Sequence, residues 1–181
     1  NVDRQSILTS ITPLCPDVPP DIVHDFVSRM DPEYFLRVAP AAVAAHVRLA
    51  AQLTPDHLCE LTIVDQRGGH VDLTIVAYDY FAEFATICGL LSAFGLNIEE
   101  GQIYTFSDAA SPSPGKSTRV GPRRRPATRP GLSRKKIVDL FRVQPVPGVP
   151  FEPAEQARLG EELRFVIGLL DTNQFAEARH A

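Results

Sequence analysis

The spacing of apolar and polar residues changes period along the chain, and each change marks an element. Residues 1–58 read as helical. Asp21 is placed to cap a helix through Ile22, Phe26 and Val27, and Asp31-Pro32-Glu33 is a second start signal, because proline is tolerated at the first helical position. Pro40 opens an alanine-rich helix, Ala41 to Leu53, with Val43, Val47 and Ala50 at helical spacing, and Thr54-Pro55-Asp56 closes it. From Cys59 the period becomes two. Leu61 and Ile63, then Val71, Leu73 and Ile75, flank Arg67-Gly68-Gly69, which predicts a β-hairpin. After Ala77 the helical period returns with Phe84, Ile87, Cys88, Leu91 and Phe94 on one face and Gly95 as a C-terminal cap. Leu96 to Phe106 reads as a strand with Ile98, Ile103 and Phe106 inward and Gly101 at a bulge or close approach. Ile137 to Val143 is a further strand, ended by Pro145, Pro147 and Pro150. Pro153 begins a helix that buries Leu159, Leu163, Val166, Ile167 and Leu170.

This order predicts an α+β chain. A helical N-terminal region, 1–58, precedes a unit over 59–181 in which an antiparallel sheet carries helices on one face, a ferredoxin-like sandwich. Architecture of this kind hosts many functions and names none.

Charge changes the picture in one segment. Between Ser107 and Lys136 there are nine Lys or Arg and only Asp108 as an acid, while the rest of the chain holds 9 basic and 21 acidic residues. The 107–136 segment is rich in proline and nearly free of apolar side chains, so it cannot bury enough surface to offset its ordering entropy. A disordered basic insertion is expected. No apolar run of about 18 residues and no leader-like segment occurs, so a cytoplasmic chain without a membrane partner is expected. The three cysteines have no paired spacing, which argues against a disulfide framework or a zinc site. A start at Asn1 and helical sequence running to Ala181 suggest a piece of a longer protein.

Four phrases carry a family resemblance: Val71-Asp72-Leu73-Thr74-Ile75-Val76-Ala77-Tyr78-Asp79, Leu90-Leu91-Ser92-Ala93-Phe94-Gly95-Leu96-Asn97-Ile98, Ile103-Tyr104-Thr105, and Val138-Asp139-Leu140-Phe141-Arg142-Val143. In this order and at these distances they resemble an ACT domain, and most of all those of PII uridylyltransferase and glutamine synthetase adenylyltransferase-type nucleotidyltransferases. The resemblance implies an ACT sandwich that binds an amino acid, glutamine being the first candidate. Its ligand site would be the loop Asp79, Tyr80, Phe81 and Ala82, with Asn97 facing it. It also implies a homodimer formed through the ACT sheet and a catalytic domain elsewhere in the parent chain. The family usually has Pro-Gly after the aspartate; here Phe81-Ala82 stands there, and a Cβ at the second position obstructs close backbone approach.

Catalytic chemistry finds no constellation. There is no nucleophile elbow, and Arg67-Gly68-Gly69-His70 is too short for a phosphate loop and lies between strands. His24-Asp25 resembles the dipeptide of metal phosphohydrolases, yet His46, His57, His70 and His180 lack ligand spacing to it, so no metal is expected. Asp79 reads as the cap of a helix starting near Phe81. No catalytic residue and no cofactor is therefore expected; the chain reads as a regulatory module rather than an enzyme. The alternative is an interaction module whose basic loop, 107–136, docks an acidic protein surface or nucleic acid; the acidic body and the lack of stacking aromatics disfavour nucleic acid.

Overall fold

A computed structural model describes residues 1–108 and 134–180. Four helices come first: α1 (Arg4–Ile11), α2 (Pro20–Arg29), α3 (Pro32–Arg37) and α4 (Pro40–Ala51). Three of them begin with proline at the first position, where its missing N–H costs nothing. Asp31 caps α3, accepting from the Glu33 amide at 2.9 Å. Asp21 does not cap α2. The cap position is Pro19, and Asp21 sits in the first turn, because the Pro19-Pro20 pair starts the helix two residues earlier than expected.

Strands β1 (Cys59–Asp65) and β2 (Val71–Tyr78) form the hairpin, closed by the Gln66 amide on the His70 carbonyl at 2.8 Å. Helix α5 (Glu83–Ala93), strands β3 (Leu96–Thr105) and β4 (Lys136–Pro145) and helix α6 (Pro153–His180) follow. The four strands make one sheet in the order β1-β2-β4-β3, antiparallel throughout. The chain is thus α+β with a four-stranded antiparallel sheet. Gly95 ends α5 with φ +72°; a Cβ there would lie 2.8 Å from Val149, so backbone geometry and packing both require glycine.

One face of the sheet is covered by α5 and α6, where Leu73, Ile75, Phe141 and Val143 meet Ile87, Leu91, Leu159, Leu163 and Ile167, all buried. Each such side chain contributes about 1.5–3 kcal/mol, far more than any surface pair. The other face carries Val76, Val138 and Tyr104, and the N-terminal helices close over it: Tyr34 of α3 packs edge-on against Tyr104 at 5.3 Å, and Phe26 of α2 against Phe106 at 5.6 Å. The helices of 59–181 thus lie on one face, and the N-terminal helices add a second layer on the other. The reason is legible in β2, where Ile75, Val76, Ala77 and Tyr78 are all buried, a run rather than an alternation, as in strands covered on both sides.

Two inward assignments on β3 change. Ile98 and Ile103 are 36% and 44% exposed, while Leu96, Tyr104 and Phe106 are buried. β3 is an edge strand with a register shift between Ile98 and Glu100, and its helix-side residues lie where α5 leaves them accessible. Gly101 is the close approach: a Cβ there would be 3.3 Å from the Phe141 ring, which stacks on Phe84 at 5.5 Å. The basic segment 107–136 falls mostly outside the described residues, at 109–133. Its described end is built into the fold. Lys136 is buried at the start of β4, and Lys135 pairs with Asp108 at 2.7 Å.

Candidate functional site

β2 runs out at Tyr78, and the chain crosses to α5 through Asp79, Tyr80, Phe81 and Ala82. The crossing is fixed from both sides. The Asp79 amide donates to the Lys135 carbonyl at 2.9 Å, extending the pairing beyond the strand. Tyr80 is buried, and its hydroxyl donates to Asp171 of α6 at 2.9 Å while accepting from Arg134 at the same distance. Arg134 lies over the Tyr78 ring at 4.2 Å, so one guanidinium ties strand, loop and last helix together. Burial and the Asp171 hydrogen bond push the Tyr80 phenol well above its ordinary range.

Asp79 is not the cap of α5. The cap position is Ala82, held at φ 60°, ψ 15°, in the left-handed region, with no side-chain hydrogen bond to the helix. Here the Pro-Gly expected from the resemblance is replaced by Phe81-Ala82, and the backbone takes the glycine conformation regardless. Phe81 points outward, 87% exposed. The helix start is closed instead by Glu83, whose Oε2 accepts from the Tyr80 amide at 2.9 Å.

Beneath this loop lies a cavity of about 220 Å³, walled by Phe84 and Ala85 of α5, Ile103 and Thr105 of β3 and Ile137 of β4. Three carboxylates reach it: Asp79 from the loop, Glu83 from the first turn of α5 and Asp139 from β4. Glu83 is 4% exposed and Asp139 1%, and among the described residues Glu83 Oε1 and Asp139 Oδ1 have no hydrogen-bond partner. Burial, together with the neighbouring carboxylates, pushes Glu83 up to about 8, and burial with Asp79 pushes Asp139 up to about 7. Asp79 is also raised by burial, against the pull of Lys135.

The structure brings Asp79, Tyr80 and Ala82 together at this cavity, with Phe81 outside it. Asn97 is not among them; it follows the C-terminal end of α5, whereas the loop precedes the N-terminal end, so the helix separates the two. Glu83 and Asp139 did not figure among the sequence candidates. Both left a signal. Glu83 follows Tyr80 by three residues, the spacing at which a glutamate reaches back over a helix start, and Asp139 stands between Ile137 and Phe141 on the inward side of an apolar strand.

A second cavity of about 310 Å³ lies between α3, α4 and the far face of the sheet, lined by Arg37, His46, Asp72, Gln102 and Arg142 among others. Two of its charges are matched to each other, Arg142 pairing with Asp72 at 3.1 Å. Asp25, of the His24-Asp25 pair, is engaged by Arg29 at 3.3 Å. Among the described residues no group of three His, Cys, Asp or Glu is placed to hold a metal ion, and no helix is long and apolar enough to cross a membrane. No family model matches the chain, and no curated protein matches it.

Proposed function

We propose that this chain is a ligand-sensing regulatory module of ACT type, part of a nitrogen-metabolism nucleotidyltransferase. The single observation that carries this reading is the cavity under the β2–α5 crossing, at the place where ACT resemblance puts the ligand loop. The topology supports it. β2, α5, β3, β4 and α6 run in ferredoxin-like order, and β1 fills the edge that a strand after α6 would otherwise occupy. The site works by binding rather than by chemistry: a small amino acid settles under the loop, and the tie from Tyr80 through Arg134 and Asp171 passes the change to α6. Such coupling is typically about 1–3 kcal/mol.

Among the described residues no strand pairs with the outer edge of β3, and this supports a homodimer, because unpaired strand edges are templates for association. Antiparallel pairing of two β3 strands about Gly101 sets the Asn97 end of one against the Thr105 end of the other, which is how Asn97 would come to face the loop. Calorimetry with a panel of amino acids, glutamine first, tests the reading. Binding that Asn97→Ala weakens supports it; no binding by any amino acid removes the sensing function.

A further inference from the structure

Resting on the ligand-sensing reading of this cavity, we propose that its occupant is an organic cation: a primary ammonium on a short aliphatic stem, seated between Glu83 and Asp139. Among the described residues the charges lining the cavity are all of one kind: Asp79, Glu83 and Asp139 reach it, and no described Lys or Arg does. Of the described basic groups about the loop, Lys135 pairs with Asp108 at 2.7 Å and Arg134 with Asp171 and Tyr80. Two of the acids are almost fully buried and each has an oxygen without a donor among the described residues. Leaving such buried groups unsatisfied is unfavourable, so a ligand that supplies N–H donors to both is favoured over one that does not.

A ligand carboxylate at the start of α5 is opposed by the same geometry. The Tyr80 amide, the donor that would receive it, is taken by Glu83. A metal ion is opposed as well, since the three acids do not converge into a coordinating group. What remains is a cation with several N–H donors and a nonpolar body. An ammonium offers three donors, and Ile103, Ile137, Phe84 and Ala85 supply an aliphatic channel for the stem. The volume of about 220 Å³ is well above the roughly 30 Å³ share of one liquid water.

Entry of the cation ionises the two acids and expels their protons. The groups that face them are Asp79 from the loop, Tyr80 beside Glu83, Cys59 of β1 near Glu83 and Cys88 of α5 near Asp139. Burial holds both thiols neutral, with Cys59 pushed up to about 12, so they release nothing near neutrality. Of the three cavity acids, Lys135 bears on Asp79.

The test is titration calorimetry of the full chain with lysine and 1,5-diaminopentane as probes, and norleucine and glutamine as comparisons, in two buffers of different ionisation heat from pH 6 to 9. At the acid end of this range the ammonium probes are expected to bind with proton release and to tighten by about tenfold per pH unit for each proton released, and the pH dependence is expected to vanish above about pH 8, where both acids are already ionised. Glu83→Gln and Asp139→Asn, which keep shape and lose charge, are expected to weaken them at least tenfold while circular dichroism stays unchanged. Norleucine or glutamine binding as tightly as lysine without proton release overturns the cation assignment and leaves amino-acid sensing standing. Diaminopentane binding with no amino acid binding does the reverse. Failure of both ammonium probes, or unaltered affinity in both variants, overturns the inference.

Discussion

Glu83 reaches back over the β2–α5 crossing to accept from the Tyr80 amide at 2.9 Å, and its other oxygen has no donor among the described residues. One carboxyl thus closes the helix start and faces the cavity. The proton it holds when folded has a stability consequence. Glu83 goes from an ordinary value of 4.5 to about 8 on folding, and Asp139 from 3.8 to about 7. Between those limits the folded chain binds more protons than the unfolded one, so their contribution is fully present below about pH 4 and is lost as pH rises to about 8. The midpoint of thermal unfolding is therefore expected to fall from pH 6 to pH 9 in the free chain. Glu83→Gln and Asp139→Asn should each flatten that slope and be the more stable proteins at pH 9; slopes identical to the parent's would sink this account.

Ala82 gives a second, independent handle on the same loop. Its φ of 60° puts a Cβ where glycine is at ease, and an L-residue in that region costs about 1–2 kcal/mol. Ala82→Gly regains this but adds freedom to the unfolded chain, worth roughly 0.4–1 kcal/mol in the other direction. A net gain of about 0.5–1 kcal/mol is expected, or a rise of roughly 2–4 °C per kcal/mol in unfolding midpoint. Ala82→Val, with a β-branch at positive φ, should lower the midpoint. Urea titration of both variants decides it, and a destabilised glycine variant would show that the left-handed crossing is not strained.

The order of elements was readable because each has a sharp local signature: proline starts for α3, α4 and α6, paired glycines at the hairpin and Gly95 after α5. What local signals could not supply is which layer covers which strand. Ile98 and Ile103 have the residue type and spacing of a core strand, but β3 lies at the sheet edge, and only the strand order reveals that. Helices on the second face follow from Val76 and Val138, whose neighbours hide the signal inside an apolar run. At the site, Asp79 was found and its role was not. An aspartate before a helix resembles a cap, and the three-residue shift to Ala82 comes from the left-handed turn, which only a glycine would have announced.

His46 shows how the helical layer responds to acid. Its Nδ1 is 2.6 Å from the Tyr34 hydroxyl, and burial pulls its pKa down from 6.5 to about 4. The Tyr34 phenol is pushed up by burial and keeps its proton, and which of the hydroxyl and Nδ1 donates is set by the tautomer of the neutral imidazole. The unfolded chain then binds the extra proton between pH 6.5 and 4, and the stability contributed by neutral His46 is present above about pH 6.5 and lost as pH falls toward 4. Tyr34→Phe leaves Nδ1 without this hydrogen-bond partner in a buried site, with an expected loss of about 1–3 kcal/mol at neutral pH. His46→Gln should lessen the acid sensitivity between pH 6 and 4.5. Unfolding curves of the two variants across that range check both statements, and an unaltered acid slope in His46→Gln would reject the role given to the imidazole.

The β3 edge yields the last expectation. Ile98 and Ile103 are accessible there, Phe81 within the crossing is 87% exposed, and among the described residues no strand neighbours the outer hydrogen-bonding groups of β3. Apolar side chains beside an unpaired edge favour addition of a second strand, whereas a charge on that edge blocks it. In sedimentation analysis the chain is expected to run as a dimer at micromolar concentration and Ile103→Lys as a monomer. Because Ile103 is already accessible in the single chain, the lysine should leave the fold intact by circular dichroism. If the parent chain is a monomer at concentrations where the ligand binds, Asn97 cannot face the loop from a second copy, and the site is then confined to Asp79, Tyr80, Ala82 and the two buried acids of one chain.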